Sequence, residues 1–516
     1  VTPTDPGAAP RAAGNRPLPL AALTDLIGTP EGGGADVAVS GVTLASGDVA
    51  PGHLYAALPG ARTHGARYAA DAAARGAVAL LTDPTGREQA AAAGLPVCVV
   101  DDPRQVLGAV ADRVYGEPSA RMAVLGITGT NGKTTTSYLV EAGLAAAGRA
   151  TGLIGTVETR TRTADGAATA LPSVRTTPEA PALHALLAGM AADGVSAVVM
   201  EVSSHALVMG RVGGVRFAAA GFTNLGRDHL DFHTDMEDYF RAKALLFDGR
   251  AGVEVVDVDD AYGRRLVDRP GRPRPVTVAG SEGATADWTA SDVAPAPGGG
   301  STFTLHGPGG RSWPARLRLP GRFNVANAVL AVALLDGVGV AVEDALTGLA
   351  ATVVPGRMEP VDAGQPFVAV VDYAHTPDAV RTALTALRAA TTGRLITVLG
   401  CGGDRDPGKR PEMGRAAAEG SDVLVVTDDN PRSEEPAAIR AAMLAGAAEV
   451  AEDRRAEVLE VGNRRAALAA AVRLARAGDT LLVAGKGHET GQEIAGTVHP
   501  FDDRTALREV LGGGAP

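Results

Sequence analysis

The residues that most directly imply chemistry are Gly126-Ile127-Thr128-Gly129-Thr130-Asn131-Gly132-Lys133-Thr134-Thr135-Thr136. An apolar run, Met122–Leu125, precedes them and reads as a short buried strand, and Tyr138–Leu144 after them reads as a helix. A strand, a glycine loop ending in Gly-Lys-Thr and then a helix make a cradle for nucleotide phosphates. Backbone N–H groups and the helix N-terminus meet the anion, Lys133 neutralises terminal phosphate charge, and the Thr134 hydroxyl can ligate Mg2+. The spacing departs from the general pattern, which wants glycine where this chain has Ile127; the glycines stand at 126, 129 and 132.

Two later apolar runs end in polar clusters. Ser196–Met200 leads into Glu201-Val202-Ser203-Ser204-His205, and Ala218–Phe222 leads into Thr223-Asn224-Leu225-Gly226-Arg227-Asp228-His229. Ligands of open parallel sheets bind beyond the carboxyl ends of strands, so these clusters and the glycine loop point at one site. Glu201 suits Mg2+, a hard cation that takes oxygen ligands; it suits equally a cap on the helix that follows. His229 reads as a metal ligand in a phosphate-rich site or, as the commoner alternative, as a satisfied core histidine. Lys243 has Tyr239, Phe240, Leu246 and Phe247 at helical spacings, which predicts burial on an apolar face. Burial lowers an amine pKa, and a neutral amine can take up CO2 as a carbamate; snorkelling of the tip to solvent is the competing outcome.

The last third of the chain carries three more polar knots. They are Gly400–Pro411 with Arg405, Thr427–Arg432 with Asp429, Asn430 and Pro431, and Gly485–Glu489. Asp, Asn, Gly and Pro there serve turns and caps. Arg405, Arg432 and Glu489 at one sheet edge are not so explained; two guanidiniums and a carboxylate match an amino acid substrate.

The elements that must position these residues follow from the rest of the pattern. At 516 residues the chain exceeds one core, and three domains are expected: 18–117, 118–352 and 353–516, after a disordered tail over 1–17. Apolar runs alternating with helical stretches predict an α/β protein with mostly parallel sheets. In the third domain the strands are Phe367–Val371, Leu395–Leu399, Val423–Val426 and Thr480–Ala484, with helices over Ala379–Ala390 and Ala437–Ala451 between. Residues 270–318 predict a small antiparallel piece, and Asn324–Leu335 a helix packed on the central sheet. Aromatics are 3% of the chain, so Ala, Val and Leu must build the cores. A net charge of −11 with no long basic run argues against a nucleic-acid partner. Two cysteines, Cys98 and Cys401, make no disulfide framework and suggest a reducing compartment. No apolar run suits a bilayer span, and Pro19 and Asp25 interrupt the only candidate for a secretory leader. A cytoplasmic monomer is expected.

Taken together, Gly129–Thr135, Glu201–His205, Thr223–Asp231, the Lys243 helix, Gly400–Arg405, Asp429–Arg432 and Gly485–Glu489 resemble the motifs of the Mur ligases of peptidoglycan synthesis. The resemblance spans about residues 20 to 510. It implies three domains: a small N-terminal α/β domain, a central P-loop ATPase-type parallel-sheet domain and a C-terminal Rossmann-like α/β domain. It further implies ATP-driven amide formation, in which the γ-phosphoryl group activates a carboxylate as an acyl phosphate and an amine then attacks. By the resemblance, Gly129, Thr130, Asn131, Gly132, Lys133, Thr134 and Thr135 hold ATP, with Asn327, Arg357 and Asp372 at adenine and ribose. Thr134, Glu201, His229 and carbamylated Lys243 surround two Mg2+ ions, and Lys133, Glu201, His229 and Lys243 are the catalytic set.

The UDP-muramoyl dipeptide is assigned to Leu44, Ser46, Ala61, Arg62, Thr63, Arg175, Thr176, Thr177, Ser203 and Arg211. The incoming amino acid is assigned to Arg405, Asp429, Asn430, Pro431, Arg432, Gly485 and Glu489. Members with Asp-Asn-Pro-Arg resemble diaminopimelate users, because the arginine pairs with the second carboxylate. The first domain departs from the family pattern: Ala45-Ser46-Gly47 replaces Asp-Ser-Arg, and His64 stands where Asp is common. Reactants drawn from all three domains imply closure of the third domain on the second. A sister ligase, adding glutamate to folate or D-Ala-D-Ala to the muramoyl peptide, shares the ATP site without Asp429–Arg432; a silent nucleotide-binding regulator is the reading from another class.

Overall fold

The structure is a computed structural model that describes residues 16–60, 62–173, 175–296 and 300–513. The expected tail lies outside the described residues except for Arg16 and Pro17, and Ala61 lies outside them too. The chain divides into two compact units, one of residues 1–278 and 330–348, the other of 279–329 and 349–516. The fold is mixed α/β with parallel sheets.

After a short antiparallel pair, Leu18–Pro19 with Ala38–Val39, the first unit holds four parallel strands, β1 (Gly41–Thr43), β2 (His53–Ala57), β3 (Ala79–Thr82) and β4 (Val97–Val99), followed by helix α1 (Pro103–Val114). Leu54, Leu81, Cys98, Leu107 and Val110 are among the residues of its core, so Cys98 serves as a buried apolar residue.

A second sheet in this unit carries the glycine loop. Its strands are β5 (Ala123–Thr128), β6 (Thr151–Ile154), β7 (Glu158–Arg162), β8 (Ala168–Pro172), β9 (Ala197–Glu201), β10 (Phe217–Phe222), β11 (Ala251–Asp257) and β12 (Val276–Ala279). The order is β8-β7-β6-β9-β5-β10-β11-β12, parallel except for the hairpin pairs β6-β7 and β7-β8. Register matters here. Glu201 pairs with Ile127, Met200 with Ile154, and Phe222 with Thr128, so three strand ends open on the same edge as the loop. Helices α2 (Lys133–Ala146), α3 (Ala180–Ala192) and α4 (Met236–Ala244) follow strands β5, β8 and β10. Val276–Ala279 joins this parallel sheet instead of the antiparallel piece expected over 270–318.

In the second unit that piece is the meander β13 (Trp288–Pro295), β14 (Ser301–Gly307) and β15 (Arg311–Leu317). The boundary between units falls within α5 (Arg322–Gly337). A six-stranded sheet follows, built from β16 (Glu359–Pro360), β17 (Val368–Asp372), β18 (Leu395–Leu399), β19 (Val423–Val426), β20 (Glu457–Glu460) and β21 (Thr480–Ala484). Asp372 and Leu399 both pair with Ala484, and Leu399 pairs with Val426, which aligns the ends from which the polar knots project. Helices α6 (Pro377–Arg388), α7 (Lys409–Gly420), α8 (Pro436–Ala448) and α9 (Arg464–Leu474) fill the connections. A hairpin, β22 (Gly491–Ile494) and β23 (Thr497–Pro500), follows.

Candidate functional site

Strand β5 runs on to Thr128 with Ile127 fully buried, so the loop proper begins at Gly129 and ends at Gly132. This explains the displaced glycine: position 127 still belongs to the sheet. Gly129 has φ +149°, and a Cβ there would stand 1.8 Å from the Thr223 hydroxyl oxygen; Gly132 has φ +86° at the start of α2. Neither position tolerates a side chain without strain.

The end of β10 holds the loop from one side. Asn131 N–H donates to Asn224 Oδ1 at 3.0 Å, the Thr223 hydroxyl donates to the Asn131 carbonyl at 2.6 Å, and Thr130 N–H donates to the Asn224 carbonyl at 2.9 Å. Lys133 Nζ folds back onto the carbonyls of Gly129 and Thr130, at 2.8 and 2.9 Å. Thr134 and Thr135 are buried in the first turn of α2.

Lys243 meets the same loop from α4. It is 1% exposed, its Nζ donates to the Gly129 carbonyl at 2.7 Å, and it lies 4.6 Å from the centre of the Tyr239 ring. Burial, and then the charge of Lys133, holds its amine well below the ordinary lysine range. The side chain is inside, not snorkelling.

Glu201 closes the other side of the loop. It is 1% exposed and its Oε2 accepts from the hydroxyls of Thr134 and Thr156, both at 3.0 Å. Its Oε1 accepts from Thr156 N–H at 2.8 Å. It does not cap the next helix, because Ser203 does so by accepting from Ala206 N–H. His229 is not a core histidine. Its side chain is 42% exposed, in a left-handed conformation with φ +53°, with Nε2 3.5 Å from Asp228. Burial of the ring surface lowers its pKa. The core histidine of this region is His233, which bonds Ser204 Oγ at 2.9 Å. His205 stacks on Phe232 with centroids 4.0 Å apart, and burial followed by the charges of His229 and His233 takes it down to about 4.

Five of the residues assigned to the dipeptide lie at or near the Glu201 strand end: Arg175, Thr176, Thr177, Ser203 and Arg211. Thr176 Oγ1 lies 3.0 Å from Thr156 Oγ1. Thr177 is fully buried; its hydroxyl donates to the Glu201 carbonyl at 2.9 Å and accepts from Ser203 N–H at 3.1 Å, so that hydroxyl is committed to the fold. Buried Arg211 reaches Glu179 at 2.8 Å and the Thr177 carbonyl at 3.3 Å. Arg175, exposed, and Arg104 lie 3.9 and 3.4 Å from the same Glu179 carboxylate. In the four-stranded part, Leu44 packs against the core, Ser46 begins a short turn of helix, Arg62 is exposed and the Thr63 carbonyl accepts from Gly60 N–H. His64, the departure from the family pattern, accepts from Ala66 N–H through Nδ1. Its Nε2 therefore carries the proton and donates to Asp83 at 3.0 Å.

The second unit joins its knots through a residue the sequence reading passed over. Lys486 is fully buried and its Nζ donates to Asn430 Oδ1, Glu489 Oε2 and the Gly491 carbonyl at 3.0, 3.1 and 2.7 Å. Asn430 also donates to Glu489 at 2.7 Å. Gly485, φ +110°, leaves room for Asp429, whose Oδ2 would stand 2.7 Å from an added Cβ. Arg432, φ +52°, donates to the Gly403 carbonyl at 2.5 Å and lies 3.4 Å from Glu493. The Gly403 N–H donates to the carbonyl of Asn430, which precedes Pro431. Arg405 is exposed and donates to the Asp404 carbonyl. Beneath these knots, Arg464 and Asp503 form a fully buried bidentate pair at 2.8 and 2.7 Å, with Arg464 also on the Ala484 carbonyl.

Of the residues assigned to adenine and ribose, Asn327 is buried on α5 at 3.4 Å from Asn324. The Arg357 guanidinium lies 4.3 Å from the centre of the Tyr373 ring, and Asp372 accepts from the N–H groups of Met358 and Ala374. Burial raises the Asp372 carboxyl. Thr156, Glu179, His205, His233 and Lys486 are absent from the sequence-based set. A signal existed for Thr156: Gly155-Thr156 directly follows an apolar run, as Glu201 and Thr223 do.

Three family models match the chain: Mur ligase family, catalytic domain, over residues 38–115; Mur ligase middle domain, over 127–335; and Mur ligase, glutamate ligase domain, over 356–487. The chain is 55% identical over 506 residues to a Streptomyces avermitilis protein named UDP-N-acetylmuramoyl-L-alanyl-D-glutamate–2,6-diaminopimelate ligase, covering 97% of this chain and 98% of that one. It is 51% identical to a Corynebacterium glutamicum protein of the same name, over 89% of each. A solved structure of a ligase of that name superposes with a TM-score of 0.69 at 30% identity, covering 96% of this chain and 99% of that one. The glycine loop, the buried Glu201 and Lys243 beside it and these matches along nearly the whole length agree: the chain belongs to the Mur ligase family.

Proposed function

We propose that this chain is the ATP-dependent ligase that joins diaminopimelate to the D-glutamate of UDP-N-acetylmuramoyl-L-Ala-D-Glu. The observation that carries the choice of amino acid is the knot Asp429-Asn430-Pro431-Arg432, fastened to Glu489 through Lys486. It offers a carboxylate to an ammonium and a guanidinium to a carboxylate. Relatives carrying that name at 51% and 55% identity support the same reading.

The chemistry follows from the first unit. Loop N–H groups and the start of α2 hold the ATP phosphates, and Lys133 leaves its carbonyl partners to pair with phosphate oxygens. The D-Glu γ-carboxylate attacks the γ-phosphorus, ADP leaves and an acyl phosphate forms. The diaminopimelate amine then attacks the acyl carbon, inorganic phosphate leaves, and the amine nitrogen loses a proton as the amide forms. Arg211 and Thr176 orient the dipeptide nucleotide, with Leu44, Ser46 and the 61–63 backbone at its uridine end.

The oxygen donors of Thr134 and Glu201 fit Mg2+ as a donor set, and Lys243 fits when its low-pKa amine is carbamylated; His229 completes the set for two ions. An Mg2+ ion held by these residues would neutralise charge on the phosphoryl oxygens. The ligase acts as a cytoplasmic monomer on small molecules, without nucleic acid; no helix among the described residues is long and apolar enough to cross a membrane.

Phosphate release from ATP with the UDP-muramoyl dipeptide tests the reading, with meso-diaminopimelate, LL-diaminopimelate and L-lysine offered in turn. Turnover with a diaminopimelate isomer and not with lysine is expected. Turnover with lysine alone overturns the role of Arg432, and turnover with none overturns the ligase assignment.

A further inference from the structure

Thr156 sits between two groups assigned to different substrates. Its N–H and hydroxyl take both oxygens of Glu201, at 2.8 and 3.0 Å, and its hydroxyl oxygen is also 3.0 Å from that of Thr176. A threonine hydroxyl has one proton to give. Oε2 of Glu201 is the acceptor of the first bond, so the Thr156 proton goes there and Thr176 must donate to Thr156. The hydrogen bonds therefore run in one direction, from Thr176 to Thr156 to Glu201.

The position of Thr156 is built by its neighbours. Gly155 approaches so closely that a Cβ there would stand 2.5 Å from Glu201 Oε1. The turn after it closes with Gly155 N–H on the Glu158 carbonyl, and the Glu158 carboxylate accepts from Tyr138 on α2 at 2.8 Å and from Arg160 at 2.7 Å. Thus the turn that carries Thr156 is anchored to the helix that begins at the phosphate loop.

We propose that Thr156 is a positioning residue that fixes the Glu201 carboxylate beside the phosphate loop and leaves partly exposed Thr176 only lone pairs to offer the acyl substrate. Thr176 then accepts from a peptide N–H of the muramoyl dipeptide and does not donate to one of its carboxylates. This rests on the dipeptide nucleotide being the acyl substrate. Through the one hydroxyl, the groups holding the phosphate side and the acyl side share a hydrogen bond and are set together.

The test uses the full-length enzyme with Thr156→Val, which keeps the N–H and the shape but removes the hydroxyl, Thr156→Ser, which restores the hydroxyl, and Thr176→Val. Two quantities are read: the dissociation constant of the UDP-muramoyl dipeptide by calorimetry without nucleotide or metal, and the Mg2+ concentration for half-maximal turnover. Thr156→Val is expected to weaken dipeptide binding and raise the Mg2+ requirement, each by about tenfold, the scale of a lost hydrogen bond to a charged group. Thr156→Ser is expected to recover both, and Thr156→Val added to Thr176→Val to cost no further dipeptide affinity. Unchanged values for Thr156→Val, or a lower melting temperature with both values unchanged, overturn the proposal. Failure of the unaltered enzyme to bind the dipeptide nucleotide instead removes the reading on which it rests.

Discussion

Lys133 and Lys243 donate to one oxygen, the carbonyl of Gly129, at 2.8 and 2.7 Å. They arrive from different helices, α2 and α4, and only Lys243 is sealed from solvent. The carbonyl is the meeting point of a partly exposed ammonium and a buried amine. Each role follows from burial. An exposed ammonium keeps its charge, whereas a buried one loses hydration and is driven toward the neutral form that accepts CO2.

Replacement of Lys243 by Met is predicted to raise the melting temperature in CO2-free buffer at pH 7. The folded-state pKa lies well below the ordinary 10.5. Between the two values unfolding takes up a proton, so stability rises with pH through that window. The advantage of Lys243→Met should shrink as the pH approaches 10.5 and vanish above it. The same variant should lose turnover, and bicarbonate should raise the turnover of the unaltered enzyme only.

Glu201→Gln keeps the shape of a side chain held by Thr134 and Thr156 while removing its charge. Turnover should fall by about 10²–10³, the scale of losing one electrostatic contact to the transition state. Melting should shift little, which separates the effect from unfolding.

Asp257, buried at the end of β11, is pushed up to about 7 by burial, with Asp259 and Asp260 adding repulsion. Its folded pKa exceeds the unfolded value, so unfolding releases a proton between about pH 4 and 7 and stability falls as the pH rises through that range. Asp257→Asn should therefore match the unaltered protein near pH 4 and be more stable at pH 8, by about 2–4 kcal/mol on the scale of one pKa unit per 1.4 kcal/mol. Melting curves at the two pH values check it.

Lys486→Met leaves Glu489 and Asn430 without their shared cation. A broken buried pair costs about 3–5 kcal/mol, so the melting transition of this unit should fall. KM for diaminopimelate should rise about tenfold or more while KM for ATP stays unchanged.

The parts of the site legible in the sequence were those with a local signature. The glycine loop announced itself through spacing, and the burial of Lys243 through its aromatic neighbours one helical turn away. Glu201 was located but its role was ambiguous, because a carboxylate after a strand can cap or ligate; the structure gives the cap to Ser203. Thr156 and Lys486 depended on long-range register. Strand β6 must lie beside β9 before Thr156 meets Glu201, and a lysine between glycines looks like solvent-exposed loop until β22 covers it. Strand β20 escaped because Glu457 and Glu460 flank only two apolar residues, and Glu457 and Glu460 are exposed at its ends. His229 left two readings open, a metal ligand or a core histidine, because a lone histidine carries no periodic signal; its 42% exposed side chain and left-handed backbone remove the core alternative.

In the proposed reaction the first unit spends ATP on a carboxylate while the knot around Arg432 selects the amine. A competition assay reads both at once: the enzyme is given ATP, the UDP-muramoyl dipeptide and equal concentrations of meso-diaminopimelate, LL-diaminopimelate and L-lysine, and the tripeptide product is weighed by mass spectrometry against ADP formed. One ADP per tripeptide is expected, with diaminopimelate in the product and lysine absent. A lysine tripeptide, or ADP without any tripeptide, would contradict it.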